Sequence, residues 1–126
     1  MPNIENSIVL DCIENCSSCH ETCTYTALNH CLPMGGKHAE PEHFKLMLEC
    51  AQICETSAYF LLSDSSFRTE VCDLCADICE ACAESCADLS GMEDCVTACN
   101  LCANSCRALV DSNMAEMSLK SSLAME

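Results

Sequence analysis

The chain has no tryptophan, three phenylalanines, two tyrosines, and only five lysines and arginines in 126 residues. A helical bundle of this size ordinarily fills its centre with large aliphatic and aromatic side chains. With so few of them, something else must occupy the middle. The shortage of positive charge is equally informative, because 20 Asp and Glu leave a formal net charge of −15. Phosphate backbones and anionic lipid surfaces call for a basic patch, so nucleic acid is excluded as a partner. The acidity reads first as solvated helix faces. No apolar run is long enough to span a bilayer, which argues against a membrane role. Met1-Pro2-Asn3-Ile4-Glu5-Asn6 lacks the positive and apolar regions of a secretory leader, and a cytoplasmic location is the expectation.

What the chain does have is cysteine, 16 of them. In a reducing compartment such a number points to metal binding or redox chemistry rather than a disulfide framework. Cys12, Cys16, Cys19 and Cys23 step by 4, 3 and 4 residues. Cys72, Cys75, Cys79, Cys82 and Cys86 step by 3, 4, 3 and 4, and Cys95, Cys99, Cys102 and Cys106 by 4, 3 and 4. At about 100° per residue each run stays on one narrow helix face. Cys50 and Cys54 follow the same rhythm, extended backward by Met47 and His43 and forward by Ser57 and Leu61.

Punctuation divides these seams into four helices, over about 4–31, 41–62, 66–89 and 92–110. Pro33, Gly35 and Gly36 separate the first two, and Pro41 suits a first helical turn. Ser63-Asp64-Ser65-Ser66 and Ser90-Gly91 provide the other breaks. Short connections predict an all-α, antiparallel, up-down-up-down four-helix bundle with a cysteine-lined core. One domain over 1–110 is expected, with 111–126 as a tail that forms a short helix or frays.

Thiolate is a soft ligand suited to Cu(I), zinc and iron–sulfur clusters. One Cu(I) per thiolate leaves a neutral core, whereas a zinc held by four thiolates carries −2 in a bundle with no basic residue on its seams. The ferredoxin run ending in Cys-Pro is absent. Multiple Cu(I) ions are therefore expected, on the order of 15 for general bridging. A zinc buffer remains an alternative. So does a thiol–disulfide protein using Cys72-x2-Cys75 or Cys79-x2-Cys82, although those pairs lie mid-helix rather than at an activating N-terminus. A column of metal with no substrate cleft favours storage over catalysis.

The antiparallel order makes the two ends differ. One gathers His30, Cys31, Met34, His38, His43, Met47, Cys86, Met92 and Cys95. The other gathers Ile8, Val9, Leu61, Leu62, Phe67, Val71, Leu109 and Val110 as an apolar plug. Copper is expected to pass through the first. His43 and Met47 are the leading ligands beyond the sixteen cysteines, followed by His30, in register with Cys23 through Thr26. His38 reads as a loop residue, His20 as exposed, and Met114, Met117 and Met125 as packing residues.

The run Cys-x3-Cys-x2-Cys-x3-Cys at 12–23, the five-cysteine run at 72–86 and the four-cysteine run at 95–106 resemble those of the bacterial copper storage proteins. That family consists of cysteine-lined four-helix bundles, and the resemblance covers about residues 4–110. It implies Cu(I) storage or sequestration and a homotetramer of bundles. The missing leader looks like the cytosolic branch, and the acidity of the chain leaves room for attraction of a basic copper donor or acceptor protein. The chain departs in its second helix, which carries only two cysteines, both toward the His/Met end. That helix is also apolar well beyond its seam, through Phe44, Leu46, Leu48, Ile53, Tyr59 and Phe60. Such a helix is usually covered on more than one side.

Overall fold

A computed structural model describes residues 4–124 of the chain, with side chains placed over 7–115. Met125 and the side chain of Met117 lie outside the described residues. The elements are helices joined by short turns. Helix α1 (Ile4–Thr26) continues through a π-turn (Ala27–Cys31) and a last helical turn (Leu32–Met34). After a 3-10 turn (Gly36–Ala39) come α2 (Pro41–Leu62), α3 (Arg68–Ala87) and α4 (Glu93–Ala124). Each helix packs on two neighbours, α1 on α2 and α4, and α3 on α2 and α4. The result is the up-down-up-down bundle that the seams imply.

Turn chemistry follows the sequence in part. Pro41 occupies the first turn of α2, where its missing N–H costs nothing. The serine cluster before α3 does not cap it directly. Instead Ser65 Oγ accepts the Phe67 N–H at 3.0 Å, and Asp64 takes a positive φ of 51°. The largest difference lies at the C-terminus. From Asp111 to Ala124 there is neither Gly nor Pro, and α4 runs through without a break at 110. Asn113, buried in this extension, donates to Thr69 Oγ1 at 2.9 Å and ties it to the start of α3.

The core is made of small residues. Its buried positions are chiefly Cys and Ala, with Met47, Met92, Leu61, Leu109 and Val110 the bulky exceptions. Polar ties hold the helix pairs from outside. Asn15 donates to Ser105 Oγ at 2.6 Å between α1 and α4. Arg107 on α4 reaches Asp73, Asp77 and Glu80 on α3 at 2.9, 2.6 and 3.0 Å. Glu80 foremost, and Asp77, hold its guanidinium above the ordinary range.

Candidate metal centre

All sixteen cysteines are fully buried and none is paired in a disulfide. The sequence seams account for fifteen of them, and local helix geometry brings in the last. In a regular helix the face that carries Cys23 would next present His30. The π-turn adds one residue to that turn, so Ala27 and Cys31 take the inward places, both fully buried. His30 is carried off the seam and its Nε2 meets the Ser90 carbonyl at 3.0 Å. The expected inward register of His30 is therefore displaced by one residue, and Cys31 holds that position. Nothing in Thr26-Ala27-Leu28-Asn29-His30 announces a π-turn.

Along the axis the sulfurs form a continuous column. Between helices, Cys16 and Cys102 approach to 3.5 Å, Cys54 and Cys79 to 3.5 Å, and Cys23 and Cys99 to 3.7 Å. Four groups of four sulfurs lie within mutual 4.8 Å: Cys16–Cys75–Cys102–Cys106, Cys19–Cys50–Cys54–Cys79, Cys19–Cys23–Cys50–Cys99 and Cys54–Cys75–Cys79–Cys102. Cys12, Cys72 and Cys106 make a group of three at the far end. The groups overlap, since Cys19, Cys50, Cys54, Cys75, Cys79, Cys102 and Cys106 each belong to two. A thiolate shared by two groups would be placed to bridge two metals. The geometry thus describes one polynuclear column rather than separate mononuclear sites.

Distance alone does not choose the metal. A metal–sulfur bond of about 2.3 Å gives sulfur–sulfur edges of about 3.8 Å in a tetrahedron and about 4.0 Å in a triangle. Observed spacings of 3.5 to 4.0 Å accept both. The donors at one end do discriminate. Cys31 Sγ lies 3.6 Å from Met47 Sδ, 3.6 Å from Met92 Sδ and 3.8 Å from His43 Nε2. Thioether is a soft ligand that suits Cu(I), whereas zinc takes thiolate, imidazole and carboxylate. Met92 sits in the α3–α4 turn three residues before Cys95, one backward step of the seam that continues through Cys99, Cys102 and Cys106, and the antiparallel pairing of helix ends brings it to Cys31.

His43 is poised as a ligand. Ser85 Oγ lies 2.7 Å from its Nδ1. A proton on Nδ1 donated to that hydroxyl leaves Nε2 free toward Cys31, the arrangement in which a ligating histidine is oriented through its other nitrogen. Burial lowers its pKa, with smaller opposing effects from neighbouring groups, so the ring stays neutral at neutral pH. His38 is buried in its 3-10 turn rather than free in a loop, and its Nε2 meets the same Ser90 carbonyl at 2.9 Å. His30 and His38 thus clamp the turn that carries Met92. Gly91 in that turn has φ of 75°, and a Cβ there would come within 2.7 Å of the His30 ring. Met34 is exposed and does not join the group. A surface hollow lined by Cys86, Leu89, Met92 and Glu93 opens beside it.

The opposite end is closed by Leu61, Leu109 and Val110, all buried. Leu62 and Phe67 stay exposed and take no part in that plug. His20 is half-buried between α1 and α2, its Nδ1 2.8 Å from the Ala51 carbonyl and its Nε2 3.1 Å from Glu55. Met114 is exposed.

The thiols differ in acidity according to their partners. Cys31 has no thiol neighbour within hydrogen-bonding reach, and burial pushes it up to about 11. Inside the column, Cys23 is pushed up, first by its contact with Cys19 at 3.8 Å and then by that with Cys50 at 3.9 Å. Cys82 and Cys95 are pushed down, in each case chiefly by their neighbour Cys23.

Comparison with known proteins agrees with this chemistry. Residues 5–111 match the family model described as copper storage protein. The crystal structure of the Nmul_A1745 protein from Nitrosospira multiformis is 49% identical, with TM-score 0.83, covering 84% of this chain and 97% of that one. The Cu(I)-bound copper storage protein BsCsp3 is 36% identical, with TM-score 0.75, covering 82% of this chain and 98% of that one. An uncharacterized cysteine-rich protein of Bacillus subtilis, YhjQ, is 38% identical over 66 residues, which is 52% of this chain and 60% of that protein. The chain thus spans about three fifths of the length of that curated relative. With a four-helix bundle, a sulfur-filled axis and a family model matched over nearly all of that bundle, the chain belongs to the copper storage protein family.

Proposed function

We propose that this chain is a non-catalytic store for Cu(I), holding many ions in the thiolate column and exchanging them through the end built from Cys31, His43, Met47 and Met92. The overlap of the sulfur groups carries the reading. A protein that needed one structural ion would isolate four ligands, and an enzyme would leave a coordination position open to substrate. Here successive groups share sulfurs over much of the column. Cys72 to Cys86 alone covers roughly 21 Å at 1.5 Å per residue. At about one ion per thiolate the capacity is on the order of 15 Cu(I), with all sixteen cysteines as ligands.

The mouth works by graded affinity. Thioether and neutral imidazole bind Cu(I) more weakly than thiolate does, so an ion held by Met47, Met92 and His43 passes inward to Cys31 and the column. His30 serves this end through the Ser90 clamp. Its inclusion among direct ligands requires the clamp to open.

A cytoplasmic location fits sixteen free thiols, which persist only where the surroundings are reducing. Association of bundles fits the outer face of α2, where Leu48, Tyr59 and Leu62 are exposed. The acidic surface suits a basic copper donor or acceptor protein. No described helix is long and apolar enough to cross a membrane.

The test is elemental analysis of protein produced with zinc and copper both supplied, then purified without air. Many copper ions per chain and little zinc are expected. Zinc as the main metal would overturn the reading in favour of a zinc buffer.

A further inference from the structure

Among the described residues one buried side-chain oxygen has no hydrogen-bond partner, Ser57 Oγ. Ser57 is fully buried. It sits on the cysteine seam of α2, one step beyond Cys54 in the order Cys50, Cys54, Ser57, Leu61. Cys54 Sγ touches Cys75, Cys79 and Cys102 at 3.8, 3.5 and 3.7 Å. The next step of α2 toward the closed end therefore runs beside the groups Cys16–Cys75–Cys102–Cys106 and Cys12–Cys72–Cys106. Neither of these contains a sulfur from α2. Where α1, α3 and α4 each supply thiol, α2 supplies a hydroxyl.

An unpaired buried hydroxyl is costly, and native cores seldom keep one without a reason. A neutral thiol is a weak acceptor, so the thiol form of the core offers Ser57 little. A thiolate bound to metal is different, because its sulfur carries negative charge and accepts a stronger, charge-assisted hydrogen bond. The hydroxyl oxygen itself is a hard donor and a poor ligand for Cu(I).

We propose that Ser57 is a positioning residue of the copper-loaded state, donating its hydroxyl proton to a copper-bound thiolate of the closed-end groups and so stabilising copper held there by sulfur from only three helices. This rests on the Cu(I)-storage reading. Ser57 acts through the thiolate it orients and does not bind the ion. Its unpaired state in the thiol form makes the loaded state the one for which this position is built.

The test compares the parent with Ser57→Ala and Ser57→Cys, each melted without air in the thiol form and after Cu(I) loading, and each challenged with a Cu(I) chelator. For Ser57→Ala the thiol form should melt at the same temperature or higher, since an unpaired hydroxyl is gone. The loaded form should gain less from copper than the parent does. One or two of the bound ions should leave at about ten-fold lower chelator excess than in the parent, the scale of one hydrogen bond to a charged acceptor. Ser57→Cys should keep those ions and bind one more, because it restores the α2 sulfur. Equal shifts of both forms in Ser57→Ala, with unchanged retention, would mean a packing role only and overturn the proposal while leaving storage intact. Saturation of the parent at one or two ions would overturn storage and this proposal with it.

Discussion

Cys31 is where the mouth and the column meet, and its surroundings set separable expectations. Met47 and Met92 each place a thioether 3.6 Å from its sulfur. Replacing either by Leu keeps volume and removes a soft donor. The expected result is slower copper uptake in stopped-flow mixing, with final capacity lowered by no more than about one ion, at roughly one metal per sulfur site. A large loss of capacity would mean these residues belong to the store and not to its mouth. Acidity gives a second expectation. Burial raises Cys31 from 9.0 to about 11, so the unfolded chain ionises first. The thiol's contribution is intact below pH 9 and is lost as pH rises through 11. The metal-free parent should therefore lose more melting temperature across that window than Cys31→Ser does.

At the scale of the helix, register decides which side chains meet metal. The extra residue of the π-turn makes a sharp contrast testable. Deleting exposed Asn29 should turn Ala27–Cys31 into a regular turn that still presents Cys31 inward, so helicity and copper capacity should survive. Deleting Ser18, exposed in the middle of α1, should rotate everything before it by about 100° and swing Cys12 and Cys16 off the axis. Circular dichroism and copper counts on the two deletions check this, and equal damage would contradict the register argument. The same physics explains what was legible in the sequence. Seams at 3- and 4-residue spacing expose the helices, their inner faces and fifteen inward cysteines, because only a 3.6-residue period keeps them together. The π-turn is invisible because no Gly, Pro or charge marks it, and tertiary packing selects it. Helix ends are read less well for a similar reason. The break expected at 110 rests on a change in composition alone, and α4 continues since no residue there opposes helix. The closed end lost Leu62 and Phe67 from its expected plug because Leu62 stands one residue, about 100°, off the seam that buries Leu61, and Phe67 lies beyond the end of α2. Met92 was legible as a backward step of the Cys95 seam, whereas the contact of His38 with the Ser90 carbonyl needed the three-dimensional pairing of two turns, which no local pattern contains.

The whole molecule trades apolar core for sulfur. With Cys and Ala at most buried positions, little large aliphatic surface is removed from water, and a net charge of −15 adds self-repulsion. The metal-free bundle is therefore expected to be modestly stable and to gain strongly from copper, which the preassembled sulfur column binds more tightly than the scattered thiols of the unfolded chain do. A single site at a hundred-fold excess over its dissociation constant adds about 2.7 kcal/mol, and many sites act together here. Thiols must lose protons to bind, so this gain should shrink as pH falls, and melting curves of loaded protein at pH 7 and 5 measure it. The central claim is that the sulfur axis is one copper column and not a set of structural sites. Its most direct test is an anaerobic titration of the reduced chain with Cu(I) against a strong chromophoric chelator. The account predicts saturation on the order of 15 ions per chain, at about one per thiolate, before the chelator begins to colour. Saturation at one or two ions would contradict it.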